Sequence, residues 1–282
     1  HMGRNGYHFF QPSVNTLAQT HLQLMNDLWM AIDRNELRLL YQPKFHAPAG
    51  PVLGFEALLR WQHPKQGLLT PDLFLPLAEK TGLIVPIGNW VIHEACRQLR
   101  QWHLQGHQSW SMAVNLSTLQ FEQPSLVKTV LDCLALHQVP PEMLILEVTE
   151  TTAMSNPDES VRVLTELTDA GVKASIDDFG TGYSSLLYLK RLPACELKID
   201  RAFVKELSGE SEDATIVSAI VALAKTLNLK VGAEGVETEA QQAFLTELGC
   251  NTLQGYLLGK PVSAQTIEAL CARGEMLPGA EQ

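Results

Sequence analysis

The segment KASIDDFGTGYSSL, residues 173–186, places an apolar run directly before two adjacent aspartates and a glycine-rich turn. Successive side chains of a β-strand point to opposite faces, so an aspartate pair inside one strand would divide its carboxylates between the two faces. Asp177 and Asp178 therefore indicate that a strand ends here. Three interpretations of the turn remain open at this point: a polar loop, a phosphate-binding loop, or a metal site at the mouth of a larger structure.

The pattern of a short apolar run followed by an amphipathic stretch extends over most of the chain. Parallel strands need such helical crossovers, and eight strand candidates in 282 residues favour an α/β fold, a closed (β/α)8 TIM-like barrel. Only KFHAPAGP separates the first two candidates, so they are predicted to form a hairpin with an antiparallel first strand. The eight segments are LRLLYQP, VLGFEALLRW, SMAVNLS, MLILEVTE, KASIDD, CELKID, KVGAEG and TLQGYLLG.

Composition excludes several classes of protein. The formal net charge of −10 argues against a surface that wraps a nucleic-acid polymer. The five cysteines are scattered and form no Cys-x-x-Cys pair, which predicts reduced thiols in a cytoplasmic chain, with neither a disulfide framework nor a zinc cluster. No apolar run approaches the roughly 20 residues that span a bilayer, and no signal peptide is expected. A parent protein could still be membrane-anchored outside this stretch.

The chain is predicted to divide into four parts. Residues 1–13 are interpreted as a tag remnant and the tail of an upstream domain, residues 14–36 as a linker helix, 37–273 as the barrel, and 274–282 as a C-terminal tail. The linker helix places apolar residues on one stripe, without flanking Lys and Arg, so packing on the barrel is expected rather than membrane binding. The stripe consists of Leu17, Leu24, Leu28 and Ile32.

Nearly every predicted strand ends in a carboxylate, an amide or an amine. The carboxyl ends of barrel strands carry the functional side chains of this fold. One such acid alone is usually a solvated turn residue, but buried carboxylates repel one another, so a cluster of four or five implies a cation. Oxygen donors without paired His or Cys suit Mg²⁺ or Mn²⁺ better than zinc. The residues are Glu56, Asn115, Glu147, Asp177, Asp178, Lys198, Asp200, Glu234 and Gln254.

Four further patterns bear on the chemistry of the chain. Lys198 could form a Schiff base, but among acids it is expected to stay protonated beside a metal-bound water. GTGYSS lacks the third glycine of a dinucleotide-binding loop, which disfavours a Rossmann fold. An aspartate that bridges two ions roughly 3.5–4 Å apart would explain the adjacent pair, because two such ions can activate water on a phosphodiester. Five histidines were expected on loops or helices in surface or structural roles: His63, His93, His103, His107 and His137.

Eight motifs occur in a fixed order. They are YQP (41–43), EALLR (56–60), NLS (115–117), EVTE (147–150), DDFGTGYSSL (177–186), LKID (197–200), AEGVE (233–237) and QGYLLGKP (254–261). Together they resemble the EAL-domain family of bacterial cyclic-di-GMP phosphodiesterases, over about residues 37–270. The resemblance implies a TIM-like barrel in which a metal-activated water opens cyclic di-GMP to linear pGpG, and so lowers the level of this bacterial signal.

The same resemblance implies a role for each matching residue. Two ions, Mg²⁺ or Mn²⁺, would be bound: the first by Glu56, Asn115, Glu147 and Asp177, and the second by Asp177, Asp178 and Glu234. Lys198 would contact the attacking water, with Glu234 and its metal-bound water as the candidate base. Arg60 would grip a substrate phosphate, while Gln42, Glu237 and Gln254 would line the nucleotide site. Glu150 would hold the loop that begins at Asp178, a loop tied in this family to dimerisation and activity.

Members of the family that only bind cyclic di-GMP usually break the EAL triplet, the aspartate pair or the loop after it. All three are intact here, which favours an enzyme over a catalytically silent receptor; Leu258 stands where an aromatic residue is common. GRNGYHFF, residues 3–10, also resembles the closing segment of GGDEF diguanylate cyclase domains. A GGDEF or sensory domain upstream in the parent protein and a homodimer through the EAL domain are therefore expected.

Overall fold

A computed structural model describes residues 23–47, 50–182, 185–207 and 211–273. The predicted tails, residues 1–13 and 274–282, and the first part of the predicted linker helix lie outside the described residues. The chain divides into two compact units, and each is described by itself. One comprises His1–Arg38 and Arg60–Leu83, and the other comprises Leu39–Leu59 and Ile84–Gln282.

Eight of the nine strands close into a barrel with helices between them, which confirms the predicted (β/α)8 TIM-like fold. The sheet order is β1-β9-β8-β7-β6-β5-β4-β2-β3, and pairing of β1 with β2 completes the ring. The predicted antiparallel first strand is also confirmed, since β1 runs antiparallel to its neighbours while β2 and β4 to β9 form parallel pairs. The strands are β1 (Leu37–His46), β2 (Val52–His63), β3 (Gly67–Leu69), β4 (Ser111–Leu116), β5 (Leu144–Thr149), β6 (Lys173–Phe179), β7 (Glu196–Ile199), β8 (Lys230–Ala233) and β9 (Thr252–Leu253).

The helices follow the strands as crossovers, and several begin at a Ser or Thr whose hydroxyl accepts from a backbone N–H of the first turn. Between α5 and β5 lies a short 3₁₀ turn, Pro141–Met143. The helices are α1 (residues 23–29), α2 (Pro71–Thr81), α3 (Ile84–Leu104), α4 (Thr118–Phe121), α5 (Leu126–His137), α6 (Glu150–Ser155), α7 (Pro157–Asp169), α8 (Leu186–Leu189), α9 (Arg201–Lys205), α10 (Glu212–Thr226), α11 (Glu239–Leu248) and α12 (Ala264–Ala272).

Aromatic packing joins the longest crossover helix to the start of the barrel. The ring of Trp102 on α3 is fully buried, and its centroid lies 5.0 Å from that of Tyr41 on β1 and 4.8 Å from that of Phe55 on β2. Burying rings of this size stabilises a fold by several kcal/mol, roughly 25 cal/mol for each Å² of apolar surface. The helix is therefore anchored beside the strand that carries Glu56.

The smaller unit contains elements that the sequence patterns did not predict, namely β3 and α2. Within this unit the indole N–H of Trp61 donates to Glu36 (3.0 Å), and His63 Nε2 lies 3.4 Å from Asp27. His63 is thus a buried residue of β2, whereas a loop or helix was expected. The described part of the predicted linker helix ends at residue 29 and turns follow up to residue 35, so this helix does not continue to residue 36.

Candidate active site

Lys198 lies at the centre of a cluster of acids at the carboxyl ends of the barrel strands. Its Nζ is 2.7 Å from Glu147 Oε2 and 3.2 Å from Asp177 Oδ1, and it also contacts Glu234 Oε1. Only 1% of the lysine is exposed. Burial favours the neutral amine, but the surrounding carboxylates outweigh it and raise the pKa of Lys198 well above its usual value. The side chain is therefore a protonated cation.

A second buried lysine, Lys44 on β1, completes the charge pattern around Glu147. Its Nζ is 3.0 Å from Glu147 Oε1 and 3.6 Å from Glu196 Oε2. Burial alone would raise the pKa of Glu147, but Lys198 and Lys44 together lower it to about 2. Sequence reasoning missed Lys44, although it follows Gln42 by two residues on the same strand and the period of two places both on one face.

Glu56 is held by two amide side chains, from β4 and from the residue after β9. Asn115 Nδ2 donates to Glu56 Oε1 (2.7 Å), and Gln254 Nε2 donates to Glu56 Oε2 (2.6 Å). Gln254 also lies 3.2 Å from Gln42 Oε1, and Gln42 in turn donates to the carbonyl of Gly259 (3.0 Å). The first and last strands therefore meet at this carboxylate.

Asp177 and Asp178 lie at an irregularity of the sheet. Pairing of β6 with β7 shifts register between Ile176 and Phe179, and Asp178 has a left-handed φ of 53°. Its backbone N–H donates to Asp177 Oδ1 (2.9 Å), while the side chain of Asp177 also contacts Lys198. A left-handed residue is rare outside glycine, asparagine and aspartate. The strand therefore continues past this irregularity to Phe179, one residue beyond the end that the sequence predicted at Asp178.

Three acids of the cluster have pKa values far above their usual range. Burial, followed by the charges of neighbouring acids, raises the pKa of Asp177 to about 6 and that of Glu234 to about 8, although Lys198 acts in the opposite direction. Burial, the charge of Asp177 and a hydrogen bond with Asp200 raise the pKa of Asp178 to about 7. The acids are thus under-neutralised by the lysines. An all-oxygen donor set with this deficit of positive charge fits divalent cations of the magnesium class.

Glu150 holds the loop that follows β6 through hydrogen bonds to its backbone. It is the first residue of α6 and is 3% exposed. Its Oε2 accepts from the backbone N–H of Gly180 (2.8 Å) and of Gly182 (3.3 Å). An added Cβ at Gly182 would lie 3.1 Å from the Glu150 carboxyl group, so the close approach depends on glycine. The loop after β6 is therefore tied to the end of the neighbouring strand β5.

Three other predicted residues are Glu237, Arg60 and Asp200. Glu237 is exposed in the loop after β8, and its backbone N–H donates to Gln241 Oε1 (2.8 Å). Arg60 lies on β2, four residues after Glu56, in the smaller unit. Asp200 accepts from the N–H of Ala202 (2.7 Å) as the N-cap of α9, in addition to its hydrogen bond with Asp178. Contacts link the other predicted site residues of the strands into two groups: Gln42, Glu56, Asn115 and Gln254, and Glu147, Asp177, Asp178, Lys198 and Glu234.

Fold and site together define a (β/α)8 barrel protein with a buried acid and lysine cluster at the carboxyl ends of its strands. The chain belongs to the EAL domain family, whose model matches residues 25–261. Phosphodiesterases of this family are metal-dependent.

Two curated relatives from Pseudomonas aeruginosa are similar over most of this chain. The bifunctional diguanylate cyclase/cyclic di-GMP phosphodiesterase MucR is 63% identical over 270 residues, which cover 96% of this chain and 39% of MucR. The cyclic di-GMP phosphodiesterase NbdA is 44% identical, with 94% of this chain and 34% of NbdA covered. The chain thus spans little more than a third of the length of these relatives.

A solved structure shows the same fold. The PaMucR phosphodiesterase in complex with c-di-GMP has a TM-score of 0.85 and 63% sequence identity, and the match covers 87% of this chain and 99% of that chain.

Proposed function

We propose that this chain is a metal-dependent phosphodiesterase that hydrolyses cyclic di-GMP to linear pGpG. The observation that carries the proposal is the buried set of Glu147, Asp177 and Glu234 around the protonated Lys198. The relatives support the substrate, since MucR and NbdA are both named for cyclic di-GMP phosphodiesterase activity. The intact acid set favours hydrolysis over the alternative, a receptor that binds cyclic di-GMP without turnover.

The acid cluster is proposed to hold two ions, Mg²⁺ or Mn²⁺. When bound, these ions would polarise the phosphodiester and make water a stronger acid. Oxygen donors from five strand ends face one another in the cluster. Three of these acids have raised pKa values because positive charge is lacking, and a divalent ion would supply it. The proposed ligands are Glu56, Asn115, Glu147 and Asp177 for one ion and Asp177, Asp178 and Glu234 for the other.

The protein side chains are proposed to orient the attacking water and to move its proton. Lys198 is held by three carboxylates and can donate to that water, which fixes the direction of attack. The water oxygen bonds to phosphorus, its proton passes to Glu234, the bond from phosphorus to a ribose oxygen breaks, and that oxygen takes up a proton. A protonated amine is no nucleophile, so the raised pKa of Lys198 favours this role over a Schiff base.

Substrate contacts are proposed for four residues beyond the acid cluster. Arg60 has the planar guanidinium that binds a phosphate through two hydrogen bonds. Gln42 and Gln254 place amide groups beside Glu56, and Glu237 offers an exposed carboxylate in the loop after Glu234. Amides and carboxylates of this kind can hydrogen-bond to the edges of a guanine base.

Incubation with cyclic di-GMP and Mn²⁺ or Mg²⁺, followed by chromatography, tests the proposal. We expect pGpG to form, and Asp177→Asn to reduce its rate at least 100-fold, since a neutral amide cannot replace the bridging carboxylate. Glu159→Gln, an exposed acid on α7, is the control and should keep full activity. Tight binding of cyclic di-GMP without any product would instead support the receptor.

The wider setting of the chain is also proposed. The parent protein is expected to carry a GGDEF or sensory domain upstream and to act in the cytoplasm, with the EAL domain forming a homodimer. No helix in the described parts of the chain is long and apolar enough to cross a membrane. Sedimentation of the isolated chain over a range of concentrations would test the dimer, with a monomer at all concentrations contradicting it.

A further inference from the structure

Two outer helices of the barrel bring together three side chains with nitrogen and sulfur donors. His93 lies on α3, while Cys133 and His137 lie one turn apart on α5. One ligand atom from each residue lies within 4.8 Å of the other two. The two imidazole rings are 5.7 Å apart and nearly perpendicular, at 76°. The group is made of different residues, on different elements, from the acid cluster.

One polar atom of this group lacks a partner among the described residues. His137 Nε2 is buried and has no hydrogen-bond partner there. Cys133 is fully buried, and its thiol donates to the carbonyl of Ile92 at 3.6 Å. A buried polar atom left unsatisfied costs about 1–3 kcal/mol, so native structures usually provide a partner. A bound ion would be such a partner for His137 Nε2.

The donor set selects the kind of ion. Two imidazoles and one thiolate suit zinc and other late transition metals, whereas magnesium-class ions prefer oxygen. The spacing of Cys133 and His137, four residues apart on one helix, places both donors on the same face. Three protein ligands leave a fourth tetrahedral position for an external ligand. The nearby acid Glu94 is engaged by Arg97 through two contacts of 2.7 and 2.8 Å, so it is not counted among the ligands.

We propose that His93, Cys133 and His137 form a binding site for one divalent ion of the zinc class, which links α3 to α5 outside the barrel. The proposal departs from the expectation that the cysteines take part in no zinc cluster. That expectation depended on the absence of Cys-x-x-Cys pairs, whereas this group combines one cysteine with histidines from two helices.

Cobalt is the probe, because a thiolate bound to Co²⁺ gives an intense near-ultraviolet absorption that an oxygen-donor centre cannot give. The full chain is titrated with Co²⁺ in excess Mg²⁺, which occupies the acid cluster. We expect the absorption to saturate at one equivalent and to disappear when Zn²⁺ is added. Cys133→Ser should abolish it, and His93→Gln should weaken Co²⁺ binding at least tenfold. His46→Gln and Cys271→Ser, which alter residues outside the group, are the matched controls and should leave the titration unchanged.

Two results would overturn the proposal: no sulfur-to-cobalt absorption in the folded chain, or an absorption that His93→Gln leaves unchanged. Cys133 is buried, so its replacement can impair folding. The decisive variant is therefore His93→Gln, which alters a solvent-accessible side chain. Hydrolysis of cyclic di-GMP by His93→Gln should proceed at the rate of the unaltered chain. A failure of the phosphodiesterase proposal can therefore be distinguished from a failure of the metal-site proposal, because hydrolysis and cobalt absorption are measured independently.

Discussion

The charge of the site depends on two lysines with different positions. Lys198 contacts three acids that are proposed to bind metal or move a proton, while Lys44 contacts Glu147 and Glu196. Both lysines are buried, so each is stable only because its acids are present. Lys44 is therefore a positioning residue that keeps Glu147 ionised and fixed.

Replacement of Lys44 by methionine should destabilise the protein by about 3–5 kcal/mol, since Glu147 and Glu196 lose a buried counter-charge. Urea unfolding monitored by circular dichroism would measure this. Lys128→Met, which breaks the exposed pair with Asp132, is the control and should leave the midpoint almost unchanged. A loss below about 1 kcal/mol for the Lys44 variant would show that the buried pair is not important for stability.

Arg60→Ala is expected to weaken binding of cyclic di-GMP more than it slows the chemical step. Loss of a phosphate contact formed equally in substrate and transition state raises KM, by roughly tenfold or more, with little change in kcat. Steady-state kinetics at saturating Mn²⁺ would separate the two constants. If kcat fell and KM stayed constant, Arg60 would stabilise the transition state rather than bind the substrate.

At this scale the sequence predicted much of the acid cluster, because each acid follows an apolar run and strand ends meet in a parallel barrel. Lys44 was missed because it lies within the only antiparallel strand of the predicted barrel, whereas the predicted site residues were those at the carboxyl ends of the strands. The group of His93, Cys133 and His137 was missed because packing of α3 on α5 is not visible in local sequence.

Among the elements, the loop after β6 is held by an acid from a neighbouring crossover. It begins two residues after Asp178, and Glu150 holds it through the backbone N–H groups of Gly180 and Gly182. Both hydrogen bonds have a charged acceptor, and such bonds contribute about 1.5–3 kcal/mol each. The position of Asp178 therefore depends on an acid from another crossover.

Glu150→Ala should reduce the rate of hydrolysis roughly 10- to 100-fold and raise the Mn²⁺ concentration needed for half-maximal activity, because the loop is no longer held. Glu159→Ala removes a glutamate from the first turn of α7 and is the matched control. Metal titrations of activity would measure both effects. Unchanged metal dependence in Glu150→Ala would mean that the loop holds its position without this contact.

Most elements of ordinary length were predicted, but the 11-residue helix α2 and the shortest strands were not. β3 has three residues, too few for an alternating pattern, and it forms only by pairing with the end of β2. β9 was expected to cover TLQGYLLG, yet only Thr252–Leu253 are a strand. Gly255 lies against the backbone of Val236, where an added Cβ would be 2.1 Å from a carbonyl oxygen, so the chain turns at that point.

For the whole molecule, the acid cluster makes stability depend on pH and metal together. Asp177, Asp178 and Glu234 have pKa values of about 6, 7 and 8, above the ordinary values of 3.8 and 4.5. Between about pH 4 and pH 8 the folded chain therefore binds more protons than the unfolded chain, and this cluster lowers stability as pH rises. Glu147 acts in the opposite sense, since its contribution is lost only as pH falls from about 4.5 towards 2.

In the presence of a chelator, the unfolding temperature of Glu234→Gln should therefore fall less between pH 5 and pH 8 than that of the unaltered chain. Mn²⁺ at 100 times its Kd at pH 8 should add about 2.7 kcal/mol of stability there, and the same Mn²⁺ concentration should add less at pH 5. Differential scanning calorimetry would measure both. Parallel pH profiles for the two chains would contradict the pKa values of the cluster.

The hydrogen bond between Gln42 and Gln254 has a consequence for biosynthesis. These amides lie 212 residues apart, and both belong to the group around Glu56, so the site needs the first and the last strand of the barrel. A ribosome that has made every acid of the cluster up to Glu234 has not yet supplied Gln254. Translation intermediates and truncated products that end before this residue therefore lack a complete site.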